Sequence, residues 1–155
     1  MGKGATPRYN EEKVIKWIVK ILFVLPKFEF GGTVFSTLNM IRMLQQHGGY
    51  DISVFPMIAY GPVRNVYDGL NVLDSDFLLD CFFANIQEYT GLYKLGVIAG
   101  KCINKICDMG GVYDKRKMYD RVAKKLQDRY HFDFVASCQE GDSTEFVSHL
   151  RKSQT

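Results

Sequence analysis

Two adjacent glycines and a threonine, Gly31, Gly32 and Thr33, follow an apolar run that ends at Pro26. Glycine lets a ligand approach the backbone closely, and the first N–H groups of a helix have no partner within that helix. A strand, a glycine loop and a helix start in this order predict a corner that accepts a phosphate or a hydroxyl group. The alternative is that the glycines only permit a tight turn between strand and helix.

A second polar loop, Gln139, Glu140 and Gly141, follows another apolar run near the end of the chain. A carboxylate here can accept hydrogen bonds from a ligand or orient a neighbouring loop, although an ordinary loop carboxylate is the alternative. Asp142 is expected to act as the N-cap of the next helix, and Glu145 to complete a capping box. The loop is therefore expected to lie between a buried strand and a capped helix.

Alternating strand and helix patterns position these two loops. Apolar runs predict strands at residues 19–25, 51–58, 70–73 and 132–137. Apolar residues three or four positions apart predict helices at residues 34–47, 77–86, 92–107 and 115–130 and from residue 142 onward. One stripe of the third helix consists of Leu95, Ile98, Cys102 and Ile106. Pro56 indicates that the second strand lies at or near an edge of the sheet.

Strands that alternate with helices pair in parallel through right-handed crossovers. The predicted fold class is therefore α/β, with a three-layer, Rossmann-like parallel sheet. Ligands of such sheets bind outside the carboxyl ends of the strands. The loops after the first and fourth strands are expected to share one cleft, which would bring the twin glycine close to Glu140.

Length and charge limit the possible functions. The chain has 155 residues, of which 46% are hydrophobic, enough for one core and too few for two ordinary domains. We expect an N-terminal arm over residues 1–18 and one domain over residues 19–155. The net charge of +3 lacks the concentration typical of nucleic-acid binders, so we expect no nucleic-acid partner.

Several common sites are not supported by the sequence. The glycine loop lacks the spacing of a dinucleotide fingerprint or a P-loop, so an independent nucleotide-binding protein is the weakest hypothesis. The histidines do not cluster, and we interpret all three, His47, His131 and His149, as structural or surface residues. The cysteines form no CxxC pair and are expected to be buried free thiols in a reducing cytoplasm. These are Cys81, Cys102, Cys107 and Cys138. We expect neither a metal nor a bound cofactor.

The predicted helix at residues 115–130 carries a series of cations. They include Lys115, Arg116, Lys117, Arg121, Lys124 and Lys125. A solvated helix face is one interpretation, and contact with anionic head groups, at about 1 kcal/mol per cation near the surface, is the other. The apolar run at residues 14–25 contains two lysines and is too short to span a bilayer.

The two loops together resemble a known family. The segment KILFVLPKFEFGGTVFSTLNMI is similar to the opening of group 1 (family 4) glycosyltransferases, in which a strand, a GG loop and a helix begin a GT-B fold. The segment FDFVASCQEGDSTEFVSHL is similar to a later part of that domain, with an apolar strand, an EG pair and a helix. Residues 61–111 follow only the general pattern.

This resemblance implies transfer of a sugar from a nucleotide-sugar co-substrate to a polysaccharide or glycolipid acceptor, with retention of configuration and commonly without a metal. Gly31 and Gly32 would lie beside the donor phosphates and the acceptor, and Glu140 and Gly141 would lie on the acceptor side or shape the cleft. Complete enzymes add a nucleotide-binding domain with an E-x7-E motif. The chain is therefore expected to be an amino-terminal half that is inactive without that domain or a partner chain, in the cytoplasm or at the inner face of the membrane. A non-catalytic α/β binding or protein-interaction module is the alternative.

Overall fold

The computed structural model describes residues 18–29, 31–109 and 114–153, so that most of the arm expected at residues 1–18 lies outside the described part. The strands are β1 (Val19–Leu25), β2 (Tyr50–Pro56), β3 (Asn71–Val72) and β4 (Phe134–Ser137). The helices are α1 (Gly32–His47), α2 (Phe77–Phe83), α3 (Gly91–Met109), α4 (Lys115–Tyr130) and α5 (Asp142–Lys152). Two short 3₁₀ helices lie at Arg64–Tyr67 and Ile86–Glu88.

The four described strands form one parallel sheet in the order β3-β2-β1-β4. The chain moves from β1 to β2 on one side, and β4 pairs with β1 on the other side. The strand order therefore reverses direction next to β1. In open α/β sheets this switch point opens a crevice at the carboxyl ends of the strands. The predicted α/β class with a parallel sheet is confirmed.

Helices cover both faces of the sheet because the side chains of β1 alternate between two cores. Leu22 and Val24 lie in the core that α4 and α5 cover, together with Tyr119 and Phe146. Their neighbours Phe23 and Leu25 lie in the opposite core, which α1 covers. All four β1 side chains are buried, which explains the continuous apolar run in the sequence.

The prediction that β2 lies at or near an edge is confirmed, because β2 is adjacent to the two-residue edge strand β3. β2 lies between β1 and β3, with Pro56 as its last residue, opposite Leu25 of β1. β3 pairs with β2 only at Ser53 and Val54, so the proline stands beyond the paired length of β3. Its missing N–H therefore costs no hydrogen bond on that side.

Local signals explain where the helices begin and end. The carboxylates of Asp76 and Asp114 accept hydrogen bonds from backbone N–H groups in the first turns of α2 and α4. α4 ends at Tyr130 and is capped by His131, whose φ of 52° is left-handed and whose N–H donates to the Gln127 carbonyl. α3 packs against α2 at Gly100, where a Cβ would lie 2.3 Å from the Cys81 sulfur.

Candidate functional site: the cleft between the first and fourth strands

The loops that follow β1 and β4 border one cleft, as their neighbouring strands require. The Cys138 N–H donates to the Val24 carbonyl at 3.1 Å, which extends the pairing of β4 with β1 into the loop. The cleft has a volume of 560 Å³. It is lined by Thr33, Ser137, Cys138, Gln139, Glu140 and Thr144. One side therefore comes from the start of α1, and the other from the β4 loop and the first turn of α5.

The twin glycine forms the start of α1 without any steric need for glycine in the described chain. Gly31 is the N-cap with extended backbone, φ 173°, and Gly32 is the first helical residue. A Cβ added at either position would meet no atom within 4 Å. Gly61 is a contrast, because its Cβ would lie 2.0 Å from the Phe28 carbonyl oxygen. The fold thus requires glycine at position 61, whereas the space over Gly31 and Gly32 is open.

A cluster of hydroxyl groups fixes the loop on the opposite side. The Gln139 carbonyl accepts hydrogen bonds from Ser137, Ser143 and Thr144 at 2.7, 2.7 and 2.9 Å. The Gln139 and Glu140 side chains are exposed, and neither has a hydrogen-bond or ion-pair partner within the described residues. Because the loop backbone is already fixed, a ligand that binds here would have to order only the Gln139 and Glu140 side chains.

The two helix starts at the cleft differ in charge. Neither has a side-chain cap, so both present backbone N–H groups with positive dipole character. The first turn of α1 contains no acidic residue, whereas that of α5 contains Asp142 and Glu145. An anion is therefore favoured at the α1 side, and carboxylates dominate the other side.

Asp142 does not cap α5, contrary to the prediction. Gly141, with φ 97°, is the N-cap, and Asp142 is the first helical residue. The Asp142 and Glu145 carboxylates both accept hydrogen bonds from the Lys115 ammonium group, at 2.5 and 2.9 Å. Burial disfavours the charged lysine, but these hydrogen bonds outweigh that effect and raise the pKa of Lys115 above its ordinary value. The first turn of α5 is thus anchored to α4.

The predicted basic series on α4 is divided between structural and exposed cations. Lys115 joins α4 to α5, and Lys125 donates to the Asp76 carboxylate at 2.7 Å. The remaining four are exposed and have no ion-pair partner in the part of the chain that the structure describes. These are Arg116, Lys117, Arg121 and Lys124. The free cationic surface of α4 is therefore smaller than its sequence suggests.

The cysteines and histidines lie in varied environments. Cys81 is buried, as predicted, but Cys102 is exposed and the other two are intermediate, so the expectation of four buried thiols is wrong. Burial raises the pKa of Cys138, although a hydrogen bond from Thr37 acts in the opposite direction. His149 is buried and its Nδ1 lies 2.5 Å from an Asp120 oxygen, consistent with the predicted structural role. No group of three or more His, Cys, Asp or Glu side chains suited to a metal occurs among the described residues.

Sequence reasoning missed the hydroxyls beneath the Gln139 loop and one buried carboxylate. Ser143 and Thr144 follow the EG pair after Asp142, so a polar run at a helix start could have indicated them. Asp80 is 1% exposed in the otherwise apolar helix FLLDCFF. A charge within such a run is the signal that it holds a polar contact in the interior.

Among the described helices, none combines the length and the apolar content needed to cross a bilayer. Comparisons with protein-family models, with curated proteins and with solved structures find no match to this chain. The function must therefore be argued from the residues and their geometry.

Proposed function

We propose that this chain is the acceptor-side domain of a retaining glycosyltransferase, which moves a sugar from a nucleotide-sugar to a polysaccharide or glycolipid acceptor. The observation that carries the proposal is the shared cleft. Thr33, which directly follows the twin glycine, lines one side, and Gln139 and Glu140 line the other; these are the two loops on which the resemblance rests.

The two sides of the cleft suit two kinds of ligand group. The uncapped N–H groups at the start of α1 suit a phosphate of the donor, and the open space over Gly32 allows it to approach the backbone. Exposed Glu140 and Gln139 suit hydroxyl groups of the acceptor, because a carboxylate and an amide both form directed hydrogen bonds with a sugar. These residues have binding roles and no catalytic role in the proposed reaction.

A donor and an acceptor must be held together in a closed site that excludes water. The described cleft is open, and Glu140 and the glycines at its sides are exposed. We therefore propose that a nucleotide-binding domain or partner chain closes it, and we expect no sugar transfer by the 155-residue chain alone. Measurable transfer by the purified chain would contradict this part of the proposal.

Titration of the ¹⁵N-labelled chain tests the two sides separately. Inorganic pyrophosphate should shift the amide signals of Gly31, Gly32 and Thr33, and an acceptor oligosaccharide those of the Glu140 loop. Glu140→Gln should weaken oligosaccharide binding and leave pyrophosphate binding unchanged. Asp128→Asn, an exposed carboxylate on α4, is the matched control.

Absence of any shift in the cleft at millimolar pyrophosphate and oligosaccharide would refute the proposal. Tight binding of a free nucleotide by this chain would instead favour an independent nucleotide-binding protein.

A non-catalytic protein-interaction module is the second candidate, and the outer surface of α3 favours it. This surface, the α3 outer stripe, consists of five side chains that are 59% to 86% exposed: Leu92, Leu95, Ile103, Ile106 and Met109. Apolar side chains contiguous along a helix usually have a partner. The double variant Leu95→Glu, Ile106→Glu should leave the melting temperature unchanged. It should abolish self-association, measured by light scattering, and binding of a protein partner, measured by capture.

Contact with an anionic membrane is the remaining part of the proposal, and the free cations of α4 would carry it. Reversal of Lys117, Arg121 and Lys124 to Glu should abolish binding to phosphatidylserine vesicles at low salt. Each cation contributes about 1 kcal/mol near such a surface. If the unmodified chain does not bind these vesicles at low ionic strength, the membrane contact is refuted.

A further inference from the structure

The outer side of α3 carries a regular row of exposed side chains. Its six residues follow one another at alternating steps of three and four: Leu92, Leu95, Ala99, Cys102, Ile106 and Met109. Four of them belong to the α3 outer stripe, and Ile103, the fifth member of that stripe, lies beside the row. Alternating steps of three and four are the heptad spacing with which one helix packs along another. The row therefore has the geometry of a surface that receives a second helix.

The opposite side of α3 packs within its own domain. Val97 is buried there, and a Cβ added at Gly100 would lie 2.3 Å from the Cys81 sulfur of α2. The Asn104 amide on the same side donates a hydrogen bond to the Cys81 carbonyl. α3 is thus held in the domain by one side, and the row on its other side stays exposed within the described residues.

The sizes of the side chains in the row are the same when counted from either end. Two large side chains at each end enclose two small ones, Ala99 and Cys102, at the centre. A second copy of α3 in the antiparallel direction would place Leu95 against Ile106 of the second copy. It would also bring the small residues of the two copies together at the centre. A surface that complements itself in this way is what a two-fold symmetric dimer requires.

Charge favours the antiparallel direction over the parallel one. In an antiparallel pair the positive N-terminus of each helix lies beside the negative C-terminus of the other. Lys105 flanks the row at its C-terminal half. It would lie level with Lys105 of the second copy in a parallel pair, and level with Gly96 of the second copy in an antiparallel pair. Like charges at flanking positions oppose helix pairing.

The exposed area is sufficient for a dimer. The five side chains of the α3 outer stripe are 59% to 86% exposed. Together they present an apolar surface comparable with the about 800 Å² that each partner buries in a standard interface. Monomeric proteins rarely leave a contiguous apolar surface of this size open to water.

We propose that α3 mediates a two-fold symmetric homodimer, in which the α3 helices of two copies pack antiparallel along this row. The proposal names the partner of the interaction surface that favours the second candidate function. It therefore rests on that candidate and is independent of sugar transfer in the cleft. A membrane surface fits the row less well, because a bilayer gains nothing from heptad spacing or from small residues at the centre.

Sedimentation equilibrium of the 155-residue chain at about 1–100 µM should show a monomer–dimer equilibrium. Leu95→Glu and Ile106→Lys should each weaken the dimer at least about thirtyfold, because two-fold symmetry places an unpaired charge in both halves of the interface. These positions are 62% and 69% exposed in the single chain, so the melting temperature measured in dilute solution should not change. Met43→Glu replaces an apolar side chain of α1 that is 60% exposed, and as the matched control it should leave the dimer intact.

An equimolar mixture of Leu95→Glu and Ile106→Lys tests the direction of the helices. In the antiparallel pair the two substituted side chains face each other, so the mixture should form a heterodimer at least about tenfold tighter than either variant alone. In a parallel pair they lie in different layers and the mixture should gain nothing. The rate at which Cys102 reacts with Ellman's reagent should also fall as the protein concentration rises, because the second copy covers this thiol in the dimer.

Three results would overturn the proposal. A chain that stays monomeric at about 100 µM has no such dimer, and capture of a different protein through the α3 outer stripe would then keep the interaction module without this partner. A dimer that neither Leu95→Glu nor Ile106→Lys weakens has its interface elsewhere. Retention of a monomeric chain on phosphatidylserine vesicles, abolished by Leu95→Glu, would assign the row to a membrane surface.

Discussion

Substitution of Gly32 by alanine tests whether this glycine is needed for ligand binding or for the fold. Gly32 is the first residue of α1, its φ is not positive, and an added Cβ meets no atom within 4 Å. Alanine at such a position stabilises a protein by about 0.4–1 kcal/mol, because it restricts the unfolded chain. For a chain of this size the melting temperature should rise by about 1–4 °C.

Gly61 is the matched contrast within the same chain. An added Cβ there lies 2.0 Å from the Phe28 carbonyl oxygen and 2.5 Å from its carbon. Because the obstacle is backbone, a rotamer change cannot relieve the overlap, and Gly61→Ala should cost about 3 kcal/mol or more. Urea unfolding followed by circular dichroism measures both variants under identical conditions.

Gly32→Ala also tests whether an anion binds over Gly32. Gly32→Ala should weaken pyrophosphate binding to the cleft while its stability rises, because the new methyl group occupies the space through which the anion reaches the backbone. A fall in stability of more than about 1 kcal/mol for Gly32→Ala would refute the reasoning, since glycine would then be needed for the turn itself. Unchanged pyrophosphate affinity in a stable variant would refute the ligand role alone.

Lys115→Met should lower the free energy of unfolding by about 1–2 kcal/mol in urea titrations, because two partly exposed ion pairs and a contact with an aromatic ring are lost. The control Lys117→Met, at an exposed position of the same helix, should change the free energy of unfolding little. Burial raises the pKa of Tyr67 to about 12, and a negative charge on Cys138 adds to this. The stability that the protonated Tyr67 contributes is fully present below its pKa in the unfolded chain, near 10, and is lost between about pH 10 and 12. Tyr67→Phe should therefore flatten the decline of the free energy of unfolding in that pH range. Among the thiols, Cys102 should react with Ellman's reagent in the native state, whereas Cys81 should react only on unfolding; equal rates would contradict the packing of α2 against α3.

The order of elements was predictable because strong apolar patterns fix it. β1 is apolar along most of its length since both of its faces are covered, and its predicted bounds agree with the structure. α4 likewise matches its predicted range, because its buried residues recur at helical spacing and Asp114 caps its start. β2 lies next to an edge, as its proline predicted, and the shortness of β3 leaves Pro56 outside the paired length.

Tertiary contacts determine what the sequence could not predict. The predicted apolar stripe of α3 exists, but Leu95 and Ile106 face outward because α3 packs on α2 through its opposite side, at Gly100. The sequence did not indicate a role for Asp80, because its partners Ser75 and Tyr93 become neighbours only when α2 and α3 pack together. Period and composition identify an amphipathic helix without identifying the element that covers it.

The proposed orientation of ligands in the cleft follows from the charge difference between its two helix starts. The dipole of α5 is already compensated by Asp142 and Glu145, whose carboxylates are held by Lys115, so a phosphate there would meet negative charge at once. The start of α1 has no such compensation. In the proposed function, a donor with its phosphates over Gly32 would therefore direct its sugar toward Glu140, where the acceptor hydroxyl would bind. The reverse orientation would place phosphate beside a carboxylate and leave the free N–H groups of α1 unused.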